Sequence, residues 1–351
     1  MKFLEDLCNA FSPSSYEKDA LVVWDDFFQH IPIVDSRIYP NHEFTDNLRN
    51  SVYSIGHGYK KILISAHIDN VCGRVVKITD KGTLMFSQDG GICLKSLISS
   101  HVLVAGDKGL VPGVVQKVAL HLDEKRSDVG DWLDYRINLG CTSKEQVEEL
   151  GIFPGCIFSY RPEINTKFGG EHLICGTGLD DKAGVWIVGK VAKMLMDKNI
   201  DITPYTIYFA AMSQEEVGCV GAKRVARNLN PDYSIDIDCT FADTELVGGK
   251  YKDLDINLGD GAIISYGADK NLELCNKIRE VAKKHKLKYK TNTTRSGGTN
   301  TKSIQDFSGD CITALLGYGL ISMHSSTEIV NRHDLDSCVD LLYCCIKDQI
   351  F

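Results

Sequence analysis

The sequence predicts an α/β protein: a mostly parallel sheet sandwiched by helices, with an inserted small β-barrel-like domain. Three observations predict it. Apolar runs of strand length, such as Lys61-Ile62-Leu63-Ile64-Ser65 and Thr206 to Met212, alternate with segments of helical period near the start and throughout the second half of the chain. Between Val71 and about Phe168 the texture changes to short β-prone runs separated by glycine-containing turns. Polar residues with metal-ligand chemistry stand just after several apolar runs, where open α/β sheets keep their ligands. The expected division is a catalytic α/β domain made of residues 1–70 and 169–351, interrupted by an insertion at 71–168.

Each element has its own warrant. Residues 2 to 11 place apolar side chains at helical spacing, and Ser12-Pro13-Ser14-Ser15 breaks that segment ahead of a second helix from Tyr16 to about His30. Ile33 to Tyr39 and Asn47 to Ile55 read as strands. Lys61 to Ser65 is a buried strand that delivers Ala66-His67-Ile68-Asp69 to its carboxyl end. In the insertion, strands are expected at Val75 to Ile78, Thr83 to Ser87, Val102 to Ala105, Leu110 to Val115 and Val118 to Leu122. Thr142-Ser143-Lys144-Glu145 reads as a capping box before one short helix. Beyond Phe168, helices are expected at Ala183 to Met196, Val217 to Asn228, Asn271 to His285 and Asp334 to Ile350. The intervening strands are Thr206 to Met212, Ser234 to Asp238 and Cys311 to Leu316.

Composition narrows the function. A chain of 351 residues with 43% hydrophobic and 25% charged content belongs to the globular class. A net charge of -8 disfavours nucleic acid and anionic membrane, which need a basic face. No stretch reaches the length of a membrane span. The 13 cysteines are scattered, odd in number and free of any CxxC pair, which predicts reduced thiols in a cytoplasmic protein.

The stretch Ser213-Gln214-Glu215-Glu216-Val217-Gly218 closes an apolar run with two adjacent carboxylates. Successive side chains at a strand end diverge, so one can bind a metal while the other handles a proton. Alone, the pair also fits the acidic first turn of a helix. Four other places repeat the pattern: His67 with Asp69, Asp180-Asp181, Asp238, and His324. Together they supply two imidazoles and several carboxylates from different strands, a ligand set for two divalent ions such as zinc or cobalt.

These residues sit in motifs that resemble the M42 family of co-catalytic metallo-aminopeptidases: AHIDNVCG at 66–73, GG at 90–91, VPGVV at 111–115, LGCTSKEQVEELGIFPG at 139–155, GTGLDDKAG at 176–184, QEEVGCVGA at 214–222, NPDYSIDID at 230–238, SGGTN at 296–300 and MHSSTEIV at 323–330. The resemblance covers nearly the whole chain and implies a zinc-exopeptidase-like fold with a dimerisation insertion. It implies that Asp180 bridges two divalent ions, zinc first and cobalt or manganese as alternatives. His67 and Asp238 would complete one site or the other with Glu216 and His324. Glu215 would be the general base, and Asp69 would hydrogen bond the far nitrogen of His67. Asp181 would orient the loop, and a cis bond between Asp180 and Asp181 fits the family. Asp243 would be a loop residue close to the site.

The implied activity removes amino-terminal residues from short peptides, with assembly into dimers and dodecamers. Two alternatives are a different metal-dependent amidohydrolase on the same scaffold, either an N-acyl amino acid deacylase or a carboxypeptidase, and a non-catalytic assembly protein. The chain departs from the family at Asn300, where the pattern has Asp, and at Ile321-Ser322, where it has Arg-Tyr. Both departures bear on residue preference, through the charge near the substrate and the pocket rim.

Overall fold

The computed structural model describes residues 1–32, 40–122, 129–170, 172–198, 200–243, 245–246, 255–293 and 298–351. The strand expected at Ile33 to Tyr39 lies outside them. The chain opens with α1 (Lys2–Asn9) and α2 (Lys18–Gln29), followed by β1 (Asn41–Thr45), β2 (Ser51–Ile55) and β3 (Lys60–His67). The insertion supplies β4 (Cys72–Ile78), β5 (Thr83–Asp89), α3 (Leu94–Leu97), β6 (His101–Gly106), β7 (Gly109–Gln116), β8 (Arg136–Asn138), α4 (Lys144–Glu149) and β9 (Ile157–Tyr160). Then come β10 (Ile164–Phe168), β11 (Leu173–Gly176), α5 (Leu179–Lys198), β12 (Tyr205–Met212), α6 (Val220–Leu229) and β13 (Tyr233–Phe241). The last elements are β14 (Ala262–Tyr266), α7 (Leu272–Lys284), β15 (Tyr289–Thr293), α8 (Asn300–Phe307), β16 (Ile312–Ile321), β17 (Glu328–Asn331) and α9 (Arg332–Lys347).

Eleven strands form one mixed sheet with the path β1-β2-β12-β3-β13-β16-β17-β11-β10, to which β14 and β15 attach beside β16. Its centre, β12-β3-β13-β16, is parallel, and antiparallel strands flank it on both sides. Alternation divides the buried residues between the two faces. Ile62 and Ile64 of β3 join the larger core with α1, α2, α5, α7 and α9, while Leu63 joins the smaller core with α6 and Ile304 of α8. Burying each such side chain stabilises by roughly 1.5–3 kcal/mol.

The insertion is a closed barrel with the order β4-β5-β8-β7-β6-β9 and its own core, which includes Phe86, Val104, Ile137 and Phe158. The chain has re-entered the large sheet by Ile164, ahead of the expected return at residue 169, because β10 pairs with β11.

Several local expectations shift. Asn47 to Asn50 is not strand, because the Asp46 carboxylate accepts from Leu48 N and Asn50 N and turns the chain, so β2 starts at Ser51. Val118 to Leu122 is not a strand, and Leu120–Leu122 forms a 3-10 turn. The cap of α4 is one residue later than expected: the Ser143 side chain accepts from Gln146 N, while Gln146 Oε1 accepts from Thr142 N, one residue ahead of the cap, so the reciprocal box is not closed. The expected helix from Val217 begins at Val220. Short strands such as β11 and β17 carry no periodic signal of their own and exist because they pair with each other.

Candidate metal centre

The parallel core of the sheet delivers the site. His67 is the last residue of β3. Asp238 lies near the carboxyl end of β13, and Glu215-Glu216 follow β12 after Ser213 and Gln214. Asp180 stands where the first turn of α5 is opened, with φ -80° and ψ 105°, and its peptide bond to Asp181 is cis. His324 lies in the connection from β16 to β17 with φ 63°, a left-handed conformation that costs a non-glycine residue energy unless its surroundings hold it.

Asp180 is the centre of the arrangement. Its Oδ1 is 3.1 Å from His67 Nε2, and its Oδ2 is 3.4 Å from His324 Nε2. Glu216 Oε2 lies 3.3 Å from the same His324 nitrogen. Ligand atoms of His67, Asp180 and Glu216 lie within 4.8 Å of one another, as do those of His67, Asp181 and Asp238, and of Asp180, Asp238 and Cys239.

The tautomers follow from the carbonyls nearby. His67 Nδ1–H donates to Asp69 O at 3.1 Å, and His324 Nδ1–H donates to Gly91 O at 3.0 Å. Each neutral ring therefore turns an Nε2 lone pair toward a carboxylate oxygen. Two lone pairs at this separation repel unless a proton or a cation lies between them.

Burial sets the remaining electrostatics. It pushes Glu216 well above the ordinary carboxylate range, with the Asp180 charge adding to the effect. Asp238 is likewise pushed well up by burial and then by the Asp181 and Asp180 charges. Glu215 is raised by burial against the lowering influence of His67. Burial also acts to raise Asp180, but His324 and His67, whenever their Nε2 atoms carry a proton as well, outweigh it and hold its carboxyl low. A buried acidic cluster facing two imidazole lone pairs is a donor set suited to divalent cations, and the residues present fit such ions.

Asp69 meets the far nitrogen of His67 through its backbone carbonyl, while its carboxylate stands 3.6 Å from that nitrogen. Three donors occupy that carboxylate: Ser14 Oγ at 2.6 Å, Glu215 N at 3.0 Å and Glu216 N at 3.3 Å. Asp69 thus fixes the turn that carries the Glu pair. Asp181 accepts from His67 N at 3.2 Å, Gly184 N at 3.1 Å and Tyr318 Oη at 2.7 Å. Asp243 accepts from Ser322 N at 3.0 Å.

One residue escaped the sequence reading. Glu328 is buried, with Oε1 accepting from His324 N at 2.8 Å and Oε2 from Asp180 N at 3.1 Å. Its signal is a carboxylate four residues after His324, inside the MHSSTEIV motif. The centre opens into a cavity of about 690 Å³, whose lining includes Glu215, Phe241, Thr299, Leu315 and Met323. Ile321 and Ser322 are absent from that lining, and Ile321 packs against Ala242, Ile256 and Ile263 instead. Asn300 is buried at the start of α8, with no hydrogen-bond partner for its amide among the described residues.

The fold and this acidic, imidazole-bearing cluster match the class of exopeptidase hydrolases, with side chains that could hold metal ions. The chain matches the M42 glutamyl aminopeptidase family over residues 50–341, and it belongs to that family of peptide-bond hydrolases. A lysyl aminopeptidase of Pyrococcus furiosus is 28% identical over 300 residues, covering 84% of each chain. The TET1 peptidase of Pyrococcus horikoshii, which can assemble into a tetrahedron or a large octahedral shell, superposes with a TM-score of 0.83 at 27% identity, covering 98% of both chains. A TET aminopeptidase from the marine sediment archaeon Thaumarchaeota archaeon SCGC AB-539-E09 shares the fold, with a TM-score of 0.90 at 24% identity and coverage of 99% of this chain and 96% of that one.

Proposed function

We propose that this protein is a dinuclear metal aminopeptidase that removes residues from the free amino terminus of short peptides. The observation that carries the reading is the position of Asp180, whose two oxygens each face a different imidazole. One divalent ion would be held by His67, Asp180 and Asp238, and the other by Asp180, Glu216 and His324. Zinc suits this nitrogen and oxygen set, and cobalt or manganese can replace it.

When bound, the ions would polarise the scissile carbonyl and make an attacking water more acidic. Glu215 lines the cavity beside the ligands and is the residue free to take that water's proton and return it to the leaving amine. Cys219 donates to Glu215 Oε1 at 3.3 Å, and Asp69 holds the Glu215 backbone, so the base is fixed at both ends.

The barrel acts as the dimerisation domain, and dimers build larger homo-oligomers. The insertion exposes Leu110 and Val114 of β7 together with Val118, Leu122 and Leu133, apolar side chains that a second copy would cover. The 13 cysteines are free thiols, in keeping with a reducing cytoplasm. Among the described residues no helix is long and apolar enough to cross a membrane.

The deciding experiment is a panel of aminoacyl anilides and N-acyl amino acids, run on metal-stripped protein reloaded with zinc, cobalt or manganese. Metal-dependent cleavage of free-amine substrates is expected. Cleavage confined to blocked substrates would defeat the aminopeptidase reading.

A further inference from the structure

We propose that the barrel insertion, through Gly90 and Gly91, positions the two side chains that hold only one of the two ions, Glu216 and His324, so that occupancy of that ion depends on the insertion. The inference rests on the dinuclear reading above.

Gly90 and Gly91 directly follow barrel strand β5. The Gly91 carbonyl accepts from His324 Nδ1–H at 3.0 Å and so selects the tautomer that leaves Nε2 free. The same residue touches the ring: a Cβ on Gly91 would lie 2.6 Å from Nδ1 and 2.7 Å from Cε1 of His324. Gly90 adopts φ +78°, and a Cβ there would lie 2.6 Å from the Glu216 carbonyl oxygen. Two neighbouring positions thus lie flush against the two ligands of one ion, and a side chain at either would displace them.

The insertion also grips the His324 backbone. Cys93 N donates to His324 O at 3.2 Å. The hydroxyl of Tyr160, on barrel strand β9, is 3.1 Å from Cys93 O and 3.5 Å from His324 O. These contacts help to hold His324 at its left-handed φ of 63°.

The other half of the centre is built differently. His67 Nδ1–H is satisfied by Asp69 O, two residues along its own chain, and Asp238 Oδ1 accepts from Cys239 N at 2.7 Å within β13. No barrel residue is needed for either. The sheet therefore prepares one ion's ligands by itself, whereas the second ion's ligands are completed from the insertion. Movement of the barrel, as on assembly, has a direct route to one metal.

The test titrates Zn²⁺ into metal-stripped, full-length protein by calorimetry, with elemental analysis of the loaded samples. Wild type is expected to take two ions per chain. Gly91→Ala should retain one ion at wild-type affinity and bind the second at least about 10-fold more weakly, the range seen when groups behind a metal ligand are altered. Tyr160→Phe should weaken the same ion by a smaller factor, and Val76→Ala, exposed on the barrel, should bind both normally.

Two ions at unchanged affinity in Gly91→Ala, or loss of both together, would overturn the inference while leaving the dinuclear reading intact. If Gly91→Ala fails to fold, Tyr160→Phe decides, and unchanged affinity for the second ion overturns the proposal. A wild type that takes only one ion removes the dinuclear reading and this inference with it.

Discussion

Glu215 and Glu216 are neighbours in sequence with unequal surroundings. Glu216 faces His324 across 3.3 Å, while Glu215 has the Cys219 thiol and the open cavity beside it. Glu215→Gln keeps the shape and removes the base, so turnover should fall about 100- to 10,000-fold while metal content, read by elemental analysis, stays at the wild-type value. Near-normal turnover in that variant would end the assignment of Glu215 as the base. Asp180→Ala removes the carboxylate lying between both imidazoles, and the purified variant should be depleted of metal. Full retention of metal would show that Asp180 is not the shared ligand.

At the scale of elements, the site depends on how strand ends and helix starts are tied together. Tyr318 of β16 donates to Asp181 Oδ1 at 2.7 Å, and its hydroxyl lies 2.8 Å from Leu179 O, joining the sheet to the opening turn of α5. Tyr318→Phe leaves those buried acceptors short of a donor and should destabilise the protein by about 1–3 kcal/mol in chemical denaturation. An unchanged unfolding midpoint would mean that the hydroxyl contributes nothing.

The start of α2 offers a pH-dependent counterpart. Burial, followed by the charge of Asp69, raises Glu17 to about 7 from an ordinary 4.5. A carboxyl raised on folding stabilises most while protonated. Its contribution is complete below the unfolded value, is lost as pH rises toward about 7, and changes no further above that. Glu17→Gln stays neutral throughout, so its melting temperature relative to wild type should climb between pH 5 and pH 7, then level off. Parallel melting curves across that range would refute this reading of Glu17.

At the scale of the whole molecule, the exposed apolar side chains of the barrel and the candidate metal centre at the carboxyl ends of the parallel strands lie on different units, which touch at Gly91, Cys93 and His324. Placing a charge among those apolar side chains should prevent their burial between copies. Val114→Asp is expected to shift the protein toward the monomer in light scattering at unchanged helical content. A particle mass equal to wild type would exclude this face as the contact.

Much of this was written in the sequence because apolar period and motif spacing are local properties. Runs such as Lys61 to Ser65 fix a buried strand by composition alone, and the residue after a strand's end is placed by the strand itself. His67, Asp180, Glu215, Glu216, Asp238 and His324 could therefore be named together before any coordinate. Pairing between distant segments decided the rest. β11 and β17 have no pattern of their own and form by pairing with each other, and Asp69 spends its carboxylate on Ser14 and the Glu215-Glu216 turn. Glu328 gains its meaning only when its two oxygens meet the amides of Asp180 and His324, 148 and 4 residues away. Composition and spacing can determine which side chains are offered at a sheet edge. Which backbone donors and acceptors hold them there depends on contacts between segments far apart in the chain, and those contacts exist only once the sheet and the barrel have closed together.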